Sequence, residues 1–248
     1  MNYYFEDFTE SNYRKILILA KKNYNFISFE DYRKEGKNIL WRHDIDFSVH
    51  RAFKLASIEL EEKIKSTFFI HLHNDYYNAL ESEVSELIRN IINMGHEIGL
   101  HFDTSFYCLK SKDVLELERY LRIEKEFLEA VFNKEIKVFS FHNPDINEDW
   151  TKVGNEEIAG MINTYSDYFK KKFGYCSDSN GYWRHKRLGD ILELAQDERL
   201  QVLTHPECWT PDVMSPRDRI SRCIDGRTEK SHAKYDQVLE KNNRENIR

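Results

Sequence analysis

The sequence predicts an α/β fold built on a parallel sheet, open or closed into a barrel. Three observations lead there. Short β-rich apolar runs alternate with longer runs of helical period, the βαβαβαβ order that needs crossover helices. No Gly/Ser/Pro-rich linker and no internal repeat divides the 248 residues, so one domain over 1–225 is expected, followed by a charged tail at 226–248. Imidazoles and carboxylates collect at the carboxyl ends of the expected strands, where α/β folds build their sites.

Taken in order, residues 9–24 read as a helix with Tyr13, Ile16, Leu17 and Ala20 on one face. Strand 38–43 comes next and hands over to Asp44 and Asp46. Ser48 then opens a helix to about Lys63, with Val49, Ala52, Leu55 and Ala56 at helical spacing. The β-rich run "STFFIHL" (66–72) ends among His71, His73, Asn74 and Asp75. Helix 80–94 carries Val84, Leu87, Ile88 and Ile91 and stops at Gly95. "HEIGLHF" gives a short strand ending at His101. A long helix over about 112–132 presents Leu117, Leu121 and Leu128, its charges being those of a solvated face. "IKVFSFH" is a strand ending at His142. Residues 143–186 read as irregular, and helix 187–196 and the strand "LQVLTH", ending at His205, close the fold.

Composition narrows the functional classes. At 40% hydrophobic residues the chain can bury a sizeable core despite 32% charged residues, which argues against disorder. A net charge of −6 with no basic stripe argues against nucleic acid as a partner. The start "MNYYFEDFTESNY" has no basic n-region or apolar h-region, and no segment reaches the roughly 18 apolar residues of a membrane span. The expectation is a soluble cytoplasmic protein with no membrane span. Cys108, Cys176, Cys208 and Cys223 lie far apart, as free thiols do in a reducing compartment. There is no Gly-x-Ser-x-Gly elbow, dinucleotide fingerprint or Walker loop.

A strand-end histidine is more often structural than functional, and an aspartate before a helix is an ordinary cap. Five strand ends bearing such residues are harder to dismiss, because a barrel brings them around one cavity. Aspartate with neutral imidazole suits Zn2+ held by three protein ligands, with one position open to water. A carboxylate outside the ligand set can take the water's proton, and an imidazole opposite can protonate the leaving group. Asp44 and Asp46 point the same way if their segment is extended, so one turn can supply a base and a ligand.

These residues resemble the polysaccharide deacetylases of the NodB-homology type, carbohydrate esterase family 4 and relatives. "RHDID" resembles the first motif and "GHEIGLHFD" (95–103) the second. "SFHNP" (140–144), "YCSDSNGYW" and "VLTHP" (202–206) stand where the third, fourth and last motifs would be. The resemblance spans about residues 38–206 and implies a distorted (β/α) barrel of about seven parallel strands. It implies Asp44 as catalytic base, His205 as catalytic acid and Asp178 as the carboxylate that orients it. Asp46 and His101 would be metal ligands, with Trp183, Tyr182 and Arg184 toward the sugar. His96 belongs to structure. Two departures matter: the second motif histidine is replaced by Ser105, and His142 stands where an arginine normally braces the base. His142 is therefore expected as the third ligand, ahead of Asp103 and of His71 or His73. The implied function is metal-dependent removal of an N-acetyl group from an amino sugar that is nucleotide-, lipid- or glycan-linked, in polysaccharide biosynthesis. The alternatives are hydrolysis of another C–N bond or of an O-acetyl ester, and a non-catalytic glycan-binding relative.

Overall fold

The computed structural model describes residues 3–110, 113–144 and 149–247. Lys112, where the long helix is expected to begin, and residues 145–148 of the expected irregular stretch lie outside them. The strands are β1 (Asn25–Phe26), β2 (Asn38–Ile45), β3 (Thr67–His71), β4 (Glu97–Phe102), β5 (Val138–Phe141), β6 (Glu157–Ile158), β7 (Met161–Asn163), β8 (Gly174–Ser177) and β9 (Arg199–Thr204). The helices are α1 (Glu10–Asn23), α2 (Val49–Glu61), α3 (Ser82–Asn93), α4 (Val114–Phe132), α5 (Asp167–Lys172), α6 (Leu188–Leu194) and α7 (Pro216–Lys241). No helix among the described residues is long and apolar enough to cross a membrane. α7 runs unbroken across residues 225–226, where the charged tail is expected to begin.

The sheet has the order β6-β7-β5-β4-β3-β2-β9-β8, with β1 added to the first residues of β2. From β7 through to β8 every pairing is parallel; only β6 is antiparallel. The sheet is strongly curled into a half-barrel. Gln201 of β9 reaches the Thr164 carbonyl beyond β7 at 3.5 Å, although four strands separate β9 from β7 in sheet order. Arg42 of β2 likewise bonds Tyr165 across the interior at 3.0 Å.

Parity decides what faces inward. Along β2 the residues Ile39, Trp41 and Ile45 join clusters packed on the helices, while Leu40 joins the interior cluster with Phe69, Val138 and Ile162. Arg42 and Asp44 share the inward parity. So do His71 after Phe69, Ser140 and His142 after Val138, and His205 after Gln201. β2 extends two residues beyond the expected end because His43, Asp44 and Ile45 pair with Phe68, Phe69 and Ile70. Helix starts follow their caps. Thr9 accepts from the Asn12 N–H, Ser48 from Arg51, and Ser215 from Asp218, with Pro216 in the first turn of α7.

The stretch expected to be irregular contains β6, β7, α5 and β8. β6 and β7 are two and three residues long and join through Ala159 and Gly160, both at positive φ. Runs so short carry no periodic signal. β8 has only Cys176 buried, so it lacks an apolar run to reveal it, and its backbone pairing with β9 holds it in the sheet.

A buried polar network lies on the outer side of β2. The His43 ring nitrogens contact Glu59 at 2.7 Å and Thr204 at 2.6 Å, Ser66 donates to Glu59 at 2.5 Å, and Tyr13 also donates to Glu59. His96 bonds the Ala56 carbonyl at 3.1 Å within this network, so it stays out of the site. Burial opposes ionisation of Glu59, but His43 outweighs it and the pKa is lowered. The stability this lowering confers is fully present above the unfolded carboxylate value of about 4.3 and lost as pH falls through the folded value. Glu59→Ala should cost roughly 3–5 kcal/mol, because it strands polar groups in the core. Urea unfolding at neutral pH checks this, and a loss below about 1 kcal/mol would show that the network contributes little.

Candidate metal and catalytic centre

The carboxyl ends of β2, β3, β4, β5 and β9 meet at one polar centre. Asp46, His71 and His142 each offer a ligand atom, and these atoms lie within 4.8 Å of one another. The ring centroids of His71 and His142 are 4.5 Å apart, and the His101 ring is 5.6 and 5.3 Å from them. His71 Nε2, buried at this centre, has no hydrogen-bond partner, and Asp46 Oδ1 has only the His101 ring nitrogen beside it. Carboxylate oxygen and imidazole nitrogen turned together, with His71 Nε2 left unbonded, fit a divalent cation such as Zn2+.

The sequence-based set contains Asp46, His101 and His142, and the geometry adds His71. His101 sits beside the group, with Nε2 3.2 Å from Asp46 Oδ1. Its Nδ1 contacts Ser140 Oγ at 2.7 Å, and Ser140 donates onward to Asp44 at 3.4 Å. His71 is steadied by Asn74, whose amide nitrogen lies 3.1 Å from Nδ1 and also donates to the Asp46 carbonyl at 2.8 Å. Asp103 places one oxygen 3.8 Å from both His71 and His142. His73 turns away, toward Glu124 at 3.0 Å and Tyr107 at 3.1 Å.

Charge at the centre is uneven. Burial opposes ionisation of Asp46, yet His101, His205 and His142 outweigh it and hold the carboxyl well below its ordinary range. Burial lowers the pKa of His71 and favours its neutral form. Burial also works against charge on His142, but Asp103 and Asp46 outweigh it and raise the pKa. Alanine at His71 or His142 should each weaken metal binding by more than the roughly 10–100-fold typical of losing an outer partner. Titration with Zn2+ under competition from a chelator measures this. If His101→Ala weakens binding more than His71→Ala does, His101 is the third ligand.

Asp44 is 2% exposed and lies behind this group. Arg42, fully buried two residues earlier on the same strand, donates to Asp44 Oδ2 at 3.2 Å. The brace missing from "SFHNP" is thus present on β2. Spacing alone hides it, because i and i+2 share a face on every strand and only the fold shows that this face is buried. Asp44 Oδ1 has no partner.

His205 faces Asp46 across the centre at 3.7 Å. Its Nδ1 lies 2.6 Å from Asp178 Oδ1, while its backbone N–H and the Trp209 indole donate to Asp178 Oδ2 at 2.7 and 3.2 Å. Burial disfavours the imidazolium, but fully buried Asp178 outweighs it, and the His205 pKa lies well above its ordinary value. Glu207, two residues on, was not singled out from the sequence. Burial and the Asp46 charge push its carboxyl well up.

These groups open into a cavity of about 700 Å3, lined by Asp44, Asp46, His101, His142 and His205, with Arg184 at its edge. Trp183 does not line it. Its indole donates to buried Asp7 at 2.9 Å and its ring packs on Phe8, so it belongs to the core. Tyr182 is also off the cavity, edge-on to Tyr3 at 5.6 Å.

Fold and centre define an α/β half-barrel with an aspartate–histidine metal-type group and a histidine–aspartate pair at the strand ends. No family model matches the chain, and no curated protein matches it. Among solved structures it is similar to a chitin deacetylase from the fungal pathogen Colletotrichum lindemuthianum, at 14% identity over 78% of this chain and 84% of that one, with a TM-score of 0.45. The peptidoglycan deacetylase PdaC from Bacillus subtilis is similar at 14% identity over 83% and 97%, with a TM-score of 0.45. A CE4 family pseudoenzyme from Bacillus anthracis is similar at 15% identity over 79% and 62%, with a TM-score of 0.43. The chain spans 64% of the length of a mutant CE4 family pseudoenzyme with restored enzymatic activity, at 16% identity and a TM-score of 0.43.

Proposed function

We propose that this protein is a divalent-metal-dependent hydrolase that removes an acetyl group from the nitrogen of an amino sugar. The observation that carries the reading is the pairing of two functions across Asp46. On one side His71 and His142 converge with it; on the other stands His205, charged and held by Asp178. A bound divalent ion would polarise the acetyl carbonyl and acidify the attacking water.

The chain's own residues supply the proton transfers. Asp44, fixed by Arg42 and Ser140 through Oδ2, keeps Oδ1 free to take the water's proton. The His205 imidazolium gives its proton to the departing amine nitrogen, a poor leaving group until protonated. Asp178 holds the ring and favours its charged form before transfer. Glu207 adds a buried carboxyl group beside them, its pKa pushed up by burial and by the Asp46 charge.

The test is acetate release from a panel of N-acetylated and O-acetylated sugars, with the protein loaded with Zn2+ and after chelation. Metal-dependent acetate from N-acetyl substrates is the expected result. Release from O-acetyl esters alone would move the reaction to ester hydrolysis. No acetate from fully loaded protein would leave a non-catalytic glycan binder.

A further inference from the structure

Resting on that reading, we infer that the substrate carries a phosphate group beside its amino sugar, gripped at the cavity mouth by Arg184 and Arg217. The cavity separates its charges by depth. Its negative charges, Asp44 and Asp46, lie on the floor, with Asp44 only 2% exposed. Its exposed lining includes Arg184, His185 and Arg217.

These two arginines are unlike others at the surface. The chain has 43 acidic against 37 basic residues, and Arg14, Arg33, Arg119, Arg122 and Arg227 each hold a glutamate. The Arg184 and Arg217 side chains form no hydrogen bond or ion pair among the described residues. Both border the same cavity as the proposed reaction centre.

The two are also held together by the fold. Arg219, buried in the first turns of α7, donates to the Gly181 carbonyl at 2.7 Å and lies over the Phe8 ring. This contact joins the start of α7, which carries Arg217, to the turn that carries Arg184. Gly181 has φ +70°, and a Cβ there would meet Arg219 Nη1 at 2.9 Å, so the junction is close-fitting. Beyond it Trp183 is anchored on Asp7. Two guanidinium forks on separate but tied elements suit a group with several acceptor oxygens. A sugar 1-phosphate ester has that chemistry, whether its carrier is a nucleotide diphosphate or a polyprenyl diphosphate.

Isothermal calorimetry on the Zn2+-loaded full chain tests this without turnover. The probes are N-acetylglucosamine 1-phosphate, the neutral methyl glycoside of N-acetylglucosamine, and the carboxylated N-acetylmuramic acid. The phosphorylated probe should bind at least about tenfold tighter than either of the others, and the preference should fall with added salt. Arg184→Gln with Arg217→Gln should abolish the preference, the phosphorylated probe then binding no tighter than the neutral glycoside. Lys186→Gln, a neighbouring exposed cation outside the cavity, should change nothing. UDP-N-acetylglucosamine and a short-chain prenyl diphosphate analogue then distinguish the carriers by which gains further affinity over the 1-phosphate. Equal binding of phosphorylated and neutral probes, equal binding of the carboxylated probe, or a preference that survives in the double variant would overturn the inference. Acetate release is scored separately. Phosphate preference without acetate keeps this inference and removes the deacetylase reading, and acetate without phosphate preference does the reverse.

Discussion

Asp44→Asn is expected to lower acetate release by roughly 10²–10⁴-fold while the metal stays bound. The reason lies in how the carboxylate is held. Arg42 occupies the Oδ2 side at 3.2 Å and offers only donors, so an asparagine must turn its carbonyl oxygen toward that guanidinium. Its NH2 group then takes the place of Oδ1, the atom left without a partner. The position meant to accept the water's proton becomes a donor, at little change in shape. Steady-state kinetics with elemental analysis of the same preparation checks both halves. Loss of the metal would show that Asp44 is itself a ligand and would reverse the roles of Asp44 and Asp46.

His205→Ala should cost a comparable 10²–10⁴-fold on an N-acetyl substrate and much less on an O-acetyl ester, since an alkoxide leaves more readily than an amide anion. Metal affinity should barely change. Paired acetate-release kinetics on the two substrates decides, and equal losses would deny His205 the leaving-group role. The pH profile supplies a second reading. The acid works when protonated, and burial is outweighed by Asp178, so the His205 pKa is raised. Activity that depends on this proton is therefore retained through neutral pH and lost only as pH rises through the raised value. Asp178→Asn removes the main charge that raises it, so the alkaline limb should move to lower pH. An unmoved limb would mean that another group controls it.

Much of this centre is legible in one dimension because it uses strand ends. An apolar run that stops at a histidine or aspartate marks the end of a strand, and a parallel sheet places all such ends on one side. Asp44, Asp46, His101, His142 and His205 are found that way. Asp178 and Trp183 are implied only by the family resemblance, in a segment with little periodicity. There the structure pairs Asp178 with His205 and sends Trp183 into the core, because buried Asp7 accepts its indole N–H. Asp7 lies 176 residues from Trp183, a partnership no local pattern can announce.

By itself the sequence determined the order and type of the main elements, the parallel sheet and the strand ends that bear carboxylates and imidazoles. These follow from hydrophobic period, caps and the alternation of side chains along a strand, all properties of near neighbours. Tertiary structure alone decided that His71 joins Asp46 and His142, that Arg42 braces Asp44, and that Arg184 and Arg217 flank one cavity. The physical reason is the curl of the sheet. It sets the distance between strand ends and so selects, among several inward-facing imidazoles, those whose nitrogen atoms come within reach of one cation.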